Sequence, residues 1–329
     1  MSLTRRAALI ALILLPFGTP VGAEGINIYF KTSPGTEQLR AGAETANLAL
    51  LVAAEDGRPV QQGWVLIGLD APVPGHFFST DFPLVEGSRL ADLRLPLRRG
   101  KAEWRYLFPI RGEYRLTIAY ATDEGIRATR IFKLTIREKE TKWLVLGSFM
   151  SGLFFLGFIA GRIFSSREAL RRPVGAACLL FLTGWFFPWG AYAAEQQAAQ
   201  QKYIGQLDVA PARVGQPALV RWRLVAEGAT EKPAAALTLI ITHLEKEKTV
   251  FAVEKVFVAE EFSMKFHFTD GARYRISAVA DIPGRRSLRT EQELSVTAVE
   301  PPARAMAPAL ALFLIVITSG LIAGRWSRR

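Results

Sequence analysis

Cysteine occurs once in the 329 residues, histidine three times and methionine four times. The single thiol, Cys178, excludes an internal disulfide and leaves no partner for thiol exchange. A copper-type centre needs two or three His, Cys or Met ligands converging on one point, so the chain offers little material for one. Common catalytic signatures are missing too. No glycine-rich phosphate loop opens a helix, and neither His-Glu-x-x-His nor Gly-x-Ser-x-Gly occurs. Carboxylates are numerous but sit among basic residues on alternating strand positions, where solvated surface pairs are the rule. The composition therefore points away from an enzyme.

What the chain has in quantity is long apolar runs. Arg5 and Arg6 precede an apolar core at 7–17, and Val21-Gly22-Ala23 offers small residues for cleavage, so 1–23 reads as a signal peptide. Thr4-Arg5-Arg6 partly matches a twin-arginine signal, but Ala8 stands where a Phe is usual, which favours ordinary export. Runs at 143–164, 174–194 and 307–324 are each long and apolar enough to cross a bilayer. Ala191-Tyr192-Ala193-Ala194 before Glu195 resembles a second processing site, although that run is long for a cleaved signal and is expected to stay intact.

A net charge of +11 is in the range of nucleic-acid-binding chains, but its location argues otherwise. Residues 24–142 carry 17 basic and 15 acidic side chains, and 195–305 carry 15 and 14. The excess flanks the apolar runs, at Arg5 and Arg6, at Arg162, Arg167, Arg171 and Arg172, and at Arg325, Arg328 and Arg329. Such clusters stay in the cytoplasm. The loop 165–173 and the tail 325–329 are thus placed inside, and the two large segments outside, in the periplasm of a bacterial inner-membrane protein. The lipid bilayer is an expected partner and nucleic acid is not.

The two halves echo each other. Gly112-Glu113-Tyr114-Arg115-Leu116 recurs as Gly271-Ala272-Arg273-Tyr274-Arg275-Ile276, and Phe158-Ile159-Ala160-Gly161-Arg162 as Leu321-Ile322-Ala323-Gly324-Arg325. In 24–142, β-prone runs at 26–30, 47–54, 64–69, 93–97, 103–108, 114–120 and 131–136 are divided by turn signals such as Asp56-Gly57-Arg58-Pro59. After a linker at 195–202, runs at 218–225, 237–244, 250–258, 264–268, 274–280 and 293–299 fill 203–300. The expected fold is all-β outside the membrane: two Ig-like antiparallel β-sandwiches in tandem repeat, plus transmembrane α-helices.

Asp56-Gly57-Arg58-Pro59-Val60, Trp64-Val65-Leu66-Ile67, Ala71-Pro72-Val73-Pro74-Gly75-His76 and Gly112-Glu113-Tyr114-Arg115-Leu116 follow in an order that resembles the bacterial YtkA-like or FixH-like modules. Thr242-His243-Leu244 and Phe266-His267-Phe268-Thr269-Asp270-Gly271 resemble them in the second half. The resemblance covers about half of each outer segment and implies an Ig-like fold with links to copper or cytochrome oxidase biology. It departs where metal chemistry matters, because Val73 and Pro74 stand where methionines are common. In topology alone, the layout is similar to the membrane-bound copper monooxygenase B subunit, and no site is carried over.

Among candidate metal ligands, His76 follows Pro74-Gly75 in a loop and is the most exposed in character. Alternation puts Met264, Phe266 and Phe268 on one strand face and Lys265 and His267 on the other, so Met264 and His267 do not chelate together. Leu237, Leu239, Ile241 and His243 share a face, which turns His243 inward and leaves a His243–Met264 pair conceivable. Solvent-facing or locally hydrogen-bonded roles are favoured for all three histidines. Tyr114 and Tyr274 suit a tyrosine-corner packing role better than a shared binding spot. In the spans, Gly157-x-x-x-Gly161 and Gly320-x-x-x-Gly324 hold equivalent positions, and Gly147 and Ser151 extend the small-residue face of the first. The expected function is a non-enzymatic accessory or scaffold subunit, with helices packing against each other or a partner and outer domains binding proteins, as hetero-complex or homo-oligomer. The alternative is a periplasmic copper-handling protein. A third reading, a sugar-binding module, requires Trp64, Trp104 and Trp222 to be exposed.

Overall fold

The computed structural model describes residues 21–22, 25–75, 79–164, 203–226 and 234–327. Among the described residues, fifteen strands and two long helices run in chain order. The first half holds β1 (Val21–Gly22), β2 (Ile26–Ser33), β3 (Ala46–Ala54), β4 (Trp64–Asp70), β5 (Arg89–Pro96), β6 (Lys101–Tyr106), β7 (Gly112–Thr122) and β8 (Gly125–Ile136), followed by α1 (Glu140–Phe164). The second holds β9 (Tyr203–Val209), β10 (Pro217–Ala226), β11 (Ala235–His243), β12 (Lys248–Val258), β13 (Glu261–His267), β14 (Arg273–Asp281) and β15 (Leu288–Ser295), followed by α2 (Ala303–Trp326). The strands form one compact unit and the helices belong to another.

Period-two patterning dictates the strands. β11, Ala-Ala-Leu-Thr-Leu-Ile-Ile-Thr-His, alternates buried and half-buried along its whole length, which is how β-branched and aliphatic residues fill one face of a pleated strand. Turns follow their chemistry. Between β3 and β4, Gly57 takes φ +79° while the Asp56 carboxylate accepts the Arg58 N–H at 2.9 Å.

Among the described residues the ladder pairings are antiparallel, and they make two sheets packed as a sandwich. One has the order β1-β8-β7-β4-β5-β13-β10-β9 and the other β15-β14-β11-β12-β6-β3-β2. Each sheet therefore contains strands from both halves of the chain, a feature that no local sequence signal announces. The crossings are β5 with β13 (Leu93 opposite Met264, Ala91 opposite Phe266) and β6 with β12 (Tyr106 opposite Phe251, Trp104 opposite Val253).

Two strand expectations need correction. β9 was not foreseen, because Tyr-Ile-Gly-Gln-Leu-Asp-Val is short and half polar. The strand expected at 293–299 runs instead at Leu288–Ser295. Val296 donates to Ala272 O, and Thr297 then exchanges hydrogen bonds with Ala212 and Val214, drawing the chain away from β15. Residues 174–194 and the linker 195–202 lie outside the described residues, as does nearly all of the segment read as a signal peptide.

Candidate functional site

The helices supply the clearest constellation. α1 and α2 are long and apolar enough to cross a membrane, with mean hydropathy 2.0 and 2.3 in their most apolar windows. Only 11% and 6% of those windows is buried within the structure, unlike the core helix of a soluble domain. They run parallel, with Phe149 and Phe313 in edge contact at 5.5 Å near the middle of each helix and the glycines further along.

A Cβ at Gly157 would strike the Ile317 carbonyl and lie 3.2 Å from the Leu321 nitrogen. One at Gly161 would strike the Leu321 carbonyl. Reciprocally, a Cβ at Gly320 would strike the Phe154 carbonyl, and one at Gly324 the Phe158 carbonyl, 3.1 Å from the Arg162 nitrogen. These four glycines are the buried residues of the pair. Where the side chain is missing, a Cα–H points at an opposing carbonyl, the close backbone approach that small residues permit in lipid. Gly147 is different: nothing lies within 4 Å of its missing Cβ, and it is exposed together with Ser151, so neither extends this seam. Arg162 and Arg325 end their helices, both exposed. Arg167, Arg171, Arg172, Arg328 and Arg329 lie outside the described residues.

His76 also lies outside them. The other two histidines are buried, at 3% exposure for His243 and 4% for His267. His267 Nδ1 donates to the Arg89 carbonyl at 2.6 Å, joining β13 to the start of β5. His243 Nδ1 accepts the Lys246 N–H at 3.2 Å, and Nε2 lies 3.1 Å from the Asp270 carboxylate. The tautomer satisfying both contacts carries its proton on Nε2. With both nitrogens engaged, this histidine has no lone pair free for a metal or a substrate proton. Among the described residues, no three His, Cys, Asp or Glu side chains gather to hold a metal.

Asp270 was missed by sequence reasoning because it stands just beyond β13, where alternation gives no guidance. It accepts from Lys246 Nζ, Tyr274 Oη and His243. Burial works against its charge, yet these three donors prevail and hold the carboxyl below its ordinary value. Tyr274 is pushed up in turn, by burial first and then by the adjacent carboxylate. Tyr114 makes the corresponding corner with backbone alone, donating to Ile110 O at 2.7 Å and accepting from Ile110 N at 3.1 Å. Burial raises its pKa strongly, with Tyr106 adding to the effect. Both tyrosines thus act as packing and hydrogen-bonding corners.

An aromatic run crosses from one half to the other. Tyr114 meets Phe108 at 4.9 Å, Phe108 meets Tyr106 at 5.2 Å, and Tyr106 meets Phe266 at 6.4 Å. Phe266 meets Phe268 at 5.1 Å and Phe268 meets Tyr274 at 4.7 Å. Around it Lys248 Nζ donates to the Gly42 and Ala43 carbonyls, and the Leu107 N–H to Val250 O at 2.9 Å. The sugar-binding requirement fails at two of its three residues: Trp104 and Trp222 are core, at 4% and 0% exposure. Trp64 is half-buried beneath the Arg94 guanidinium, 3.6 Å from its ring centroid.

No family model matches the chain, and no curated protein matches it. Solved structures give distant likenesses. A conjugative transposon lipoprotein from Bacteroides eggerthii is 13% identical with a TM-score of 0.23, covering 29% of this chain and 98% of its own. The α2-macroglobulin of E. coli is 10% identical with a TM-score of 0.28, over 85% of this chain and 16% of that one. A tandem repeat from the extending region of a large adhesion protein is 10% identical with a TM-score of 0.22, over 84% and 50%. Scores this low carry no argument about function.

Proposed function

We propose that this chain is a non-enzymatic accessory or scaffold subunit of a bacterial inner-membrane complex, built by tandem duplication, with its β unit outside and its helices packed in the bilayer. The observation that carries the reading is the sharing of both sheets by the two halves. Segments 25–138 and 203–300 hydrogen-bond strand to strand, so they occupy the same compartment. Parallel α1 and α2 then begin on one side of the membrane and end on the other, which requires the intervening chain to cross back once. The uncharged run 174–194 has the length and composition for that crossing. The basic clusters at the ends of α1 and α2 favour a cytoplasmic location for those ends.

Duplication is supported by strand order. Matching β8, β7, β4, β5, β13, β10 and β9 with β15, β14, β11, β12, β6, β3 and β2 converts one sheet into the other. Each half also closes with a lone parallel bridge, Arg40 with Arg137 and Arg213 with Thr297. His243, Tyr114 and Tyr274 are engaged by internal hydrogen bonds, which favours surface and membrane faces for recognition. The test is co-purification of the tagged chain from native membranes in mild detergent, with partners identified by mass spectrometry. Stoichiometric partners are the expected result; a lone chain or a homo-oligomer without other subunits would overturn the accessory reading.

A further inference from the structure

The pairing of β6 with β12 is short. It covers Trp104–Tyr106 against Phe251–Val253 and then stops. Immediately beyond, β12 carries a bulge: Leu239 pairs Val253 and Leu237 pairs Val256, so two residues, Glu254 and Lys255, oppose Thr238 alone. Lys255 takes φ +52° there, its N–H donating to Thr238 Oγ1 at 3.3 Å. The bulge parts the strands and opens a groove of about 530 Å³ between β12 and the turn that carries the chain from β5 in one sheet to β6 in the other.

The groove has an apolar floor and a cationic rim. Leu95, Leu97, Ala102 and Val256 line it and are buried, while Phe257 is 48% exposed at its side. Arg98, Arg99, Lys101 and Lys255 surround it, and none of the four is ion-paired among the described residues. Its two carboxylates are Glu103 and Glu254, and the latter is already bridged to Arg105. The Arg98 guanidinium lies over Phe257, 5.2 Å from the ring centroid, which holds it at the opening.

Two of these cations stand where the backbone disfavours them. Arg98 and Lys101 exchange both hydrogen bonds at 3.0 Å, making a two-residue hairpin whose central residues, Arg99 and Gly100, have φ +51° and +73°. Such turns call for Asn-Gly or Asp-Gly. Arg99 and Lys255 are thus both left-handed non-glycine residues on one groove. Strained residues of this kind cluster at functional sites, and the third among the described residues, Glu247 at φ +50°, lies off the groove.

We propose that this groove binds an extended acidic segment of a partner protein. Its carboxylates meet Arg98, Arg99, Lys101 and Lys255, its apolar side chains lie on the floor, and its backbone runs between the parted strands, as in strand addition to a sheet. The proposal rests on the accessory-subunit reading and names the surface through which the outer unit acts. Charge complementarity selects a peptide rich in Asp and Glu, and the apolar floor with exposed Phe257 selects alternating apolar residues over a small inorganic anion.

The test uses the full chain in detergent and a fluorescein-labelled ten-residue peptide alternating glutamate with valine or serine, followed by anisotropy. Saturable binding is expected, weakened about tenfold by Arg99→Gly or Lys255→Gly and about a hundredfold by both, and by raising the salt. Because glycine suits φ near +50°, the double variant is expected to melt at or above the wild-type temperature, so lost binding is not lost folding. No saturable binding, equal binding of the peptide with Gln for Glu, or unchanged affinity in the double variant would each overturn the proposal. So would capture of phosphatidylglycerol vesicles, but not the peptide, with the same sensitivity to substitution. Co-purification separates the two ideas. Partners retained by both wild type and double variant, with unchanged peptide affinity, sink the groove alone; no partner with either form sinks the accessory reading, whatever the peptide does.

Discussion

Phe266→Ala tests whether the two halves of the chain stand or fall together. Phe266 is 3% exposed on β13, opposite Ala91 of β5 and Ala218 of β10. Its ring meets Phe268 at 5.1 Å and Phe251 at 5.8 Å from its own half, and Tyr106 at 6.4 Å from the other. Truncating a buried Phe costs about 3–5 kcal/mol in transfer and cavity terms. If the joined sheets unfold as one cooperative unit, the whole of that loss is felt in both halves. At about 1.4 kcal/mol per factor of ten, amide exchange through global opening accelerates some hundred- to several-thousand-fold. The assay is hydrogen exchange with mass spectrometry on the full chain in detergent, comparing peptides from β3 and β4 with peptides from β10 and β11. Equal acceleration in both sets is expected. Acceleration confined to β9–β15, with β2–β8 unchanged, would refute the reasoning and make the halves independent domains whose sheet contact is incidental.

Much of the strand pattern was legible because alternation is a local property. Leu237, Leu239, Ile241 and His243 share a buried face in the structure as their spacing implies. The pairing across halves was illegible for the opposite reason. β5, β6, β12 and β13 read as ordinary strands, and which edges meet depends on the shape of the finished sheets rather than on any short motif. His267 illustrates the limit: alternation turns it away from Met264 and Phe266, and it is buried nonetheless, because its ring reaches across to the Arg89 carbonyl. Asp270 was invisible because its role depends on Lys246, His243 and Tyr274 arriving from other strands and turns. The Gly-x-x-x-Gly spacing speaks from sequence because four residues return to the same helix face; which partner fills that face is set by the fold. The groove rim had no sequence signature, since Arg99 and Lys255 become notable only through their backbone angles.

In the helix pair, Gly161→Leu or Gly324→Leu is expected to cost about 1–3 kcal/mol of association by driving a side chain into the Leu321 or Phe158 carbonyl. The disulfide yield of a Phe149→Cys/Phe313→Cys pair in a Cys178→Ser background reports it; an undiminished yield, or an equal loss in Gly147→Leu, would count against the seam. Tyr114→Phe removes the donor to Ile110 O and the acceptor for Ile110 N, both buried, and is expected to lower stability by about 1–3 kcal/mol in urea unfolding. A change under about 0.3 kcal/mol would mean that the corner contributes packing alone. For Asp270 the sign follows from its lowered pKa. A carboxyl depressed in the folded state contributes stability that is complete above its unfolded value, about 3.9, and is lost as pH falls through the folded value. The wild-type urea midpoint should therefore hold steady from pH 7 to 5 on this account and fall in more acid solution. Asp270→Asn should lower the midpoint at pH 7, since a hydrogen-bonded charge that is partly exposed contributes about 1–2 kcal/mol, and should flatten the acid limb. If the variant kept the wild-type acid slope, the carboxylate that Lys246, Tyr274 and His243 surround would not be the group whose protonation loosens this corner.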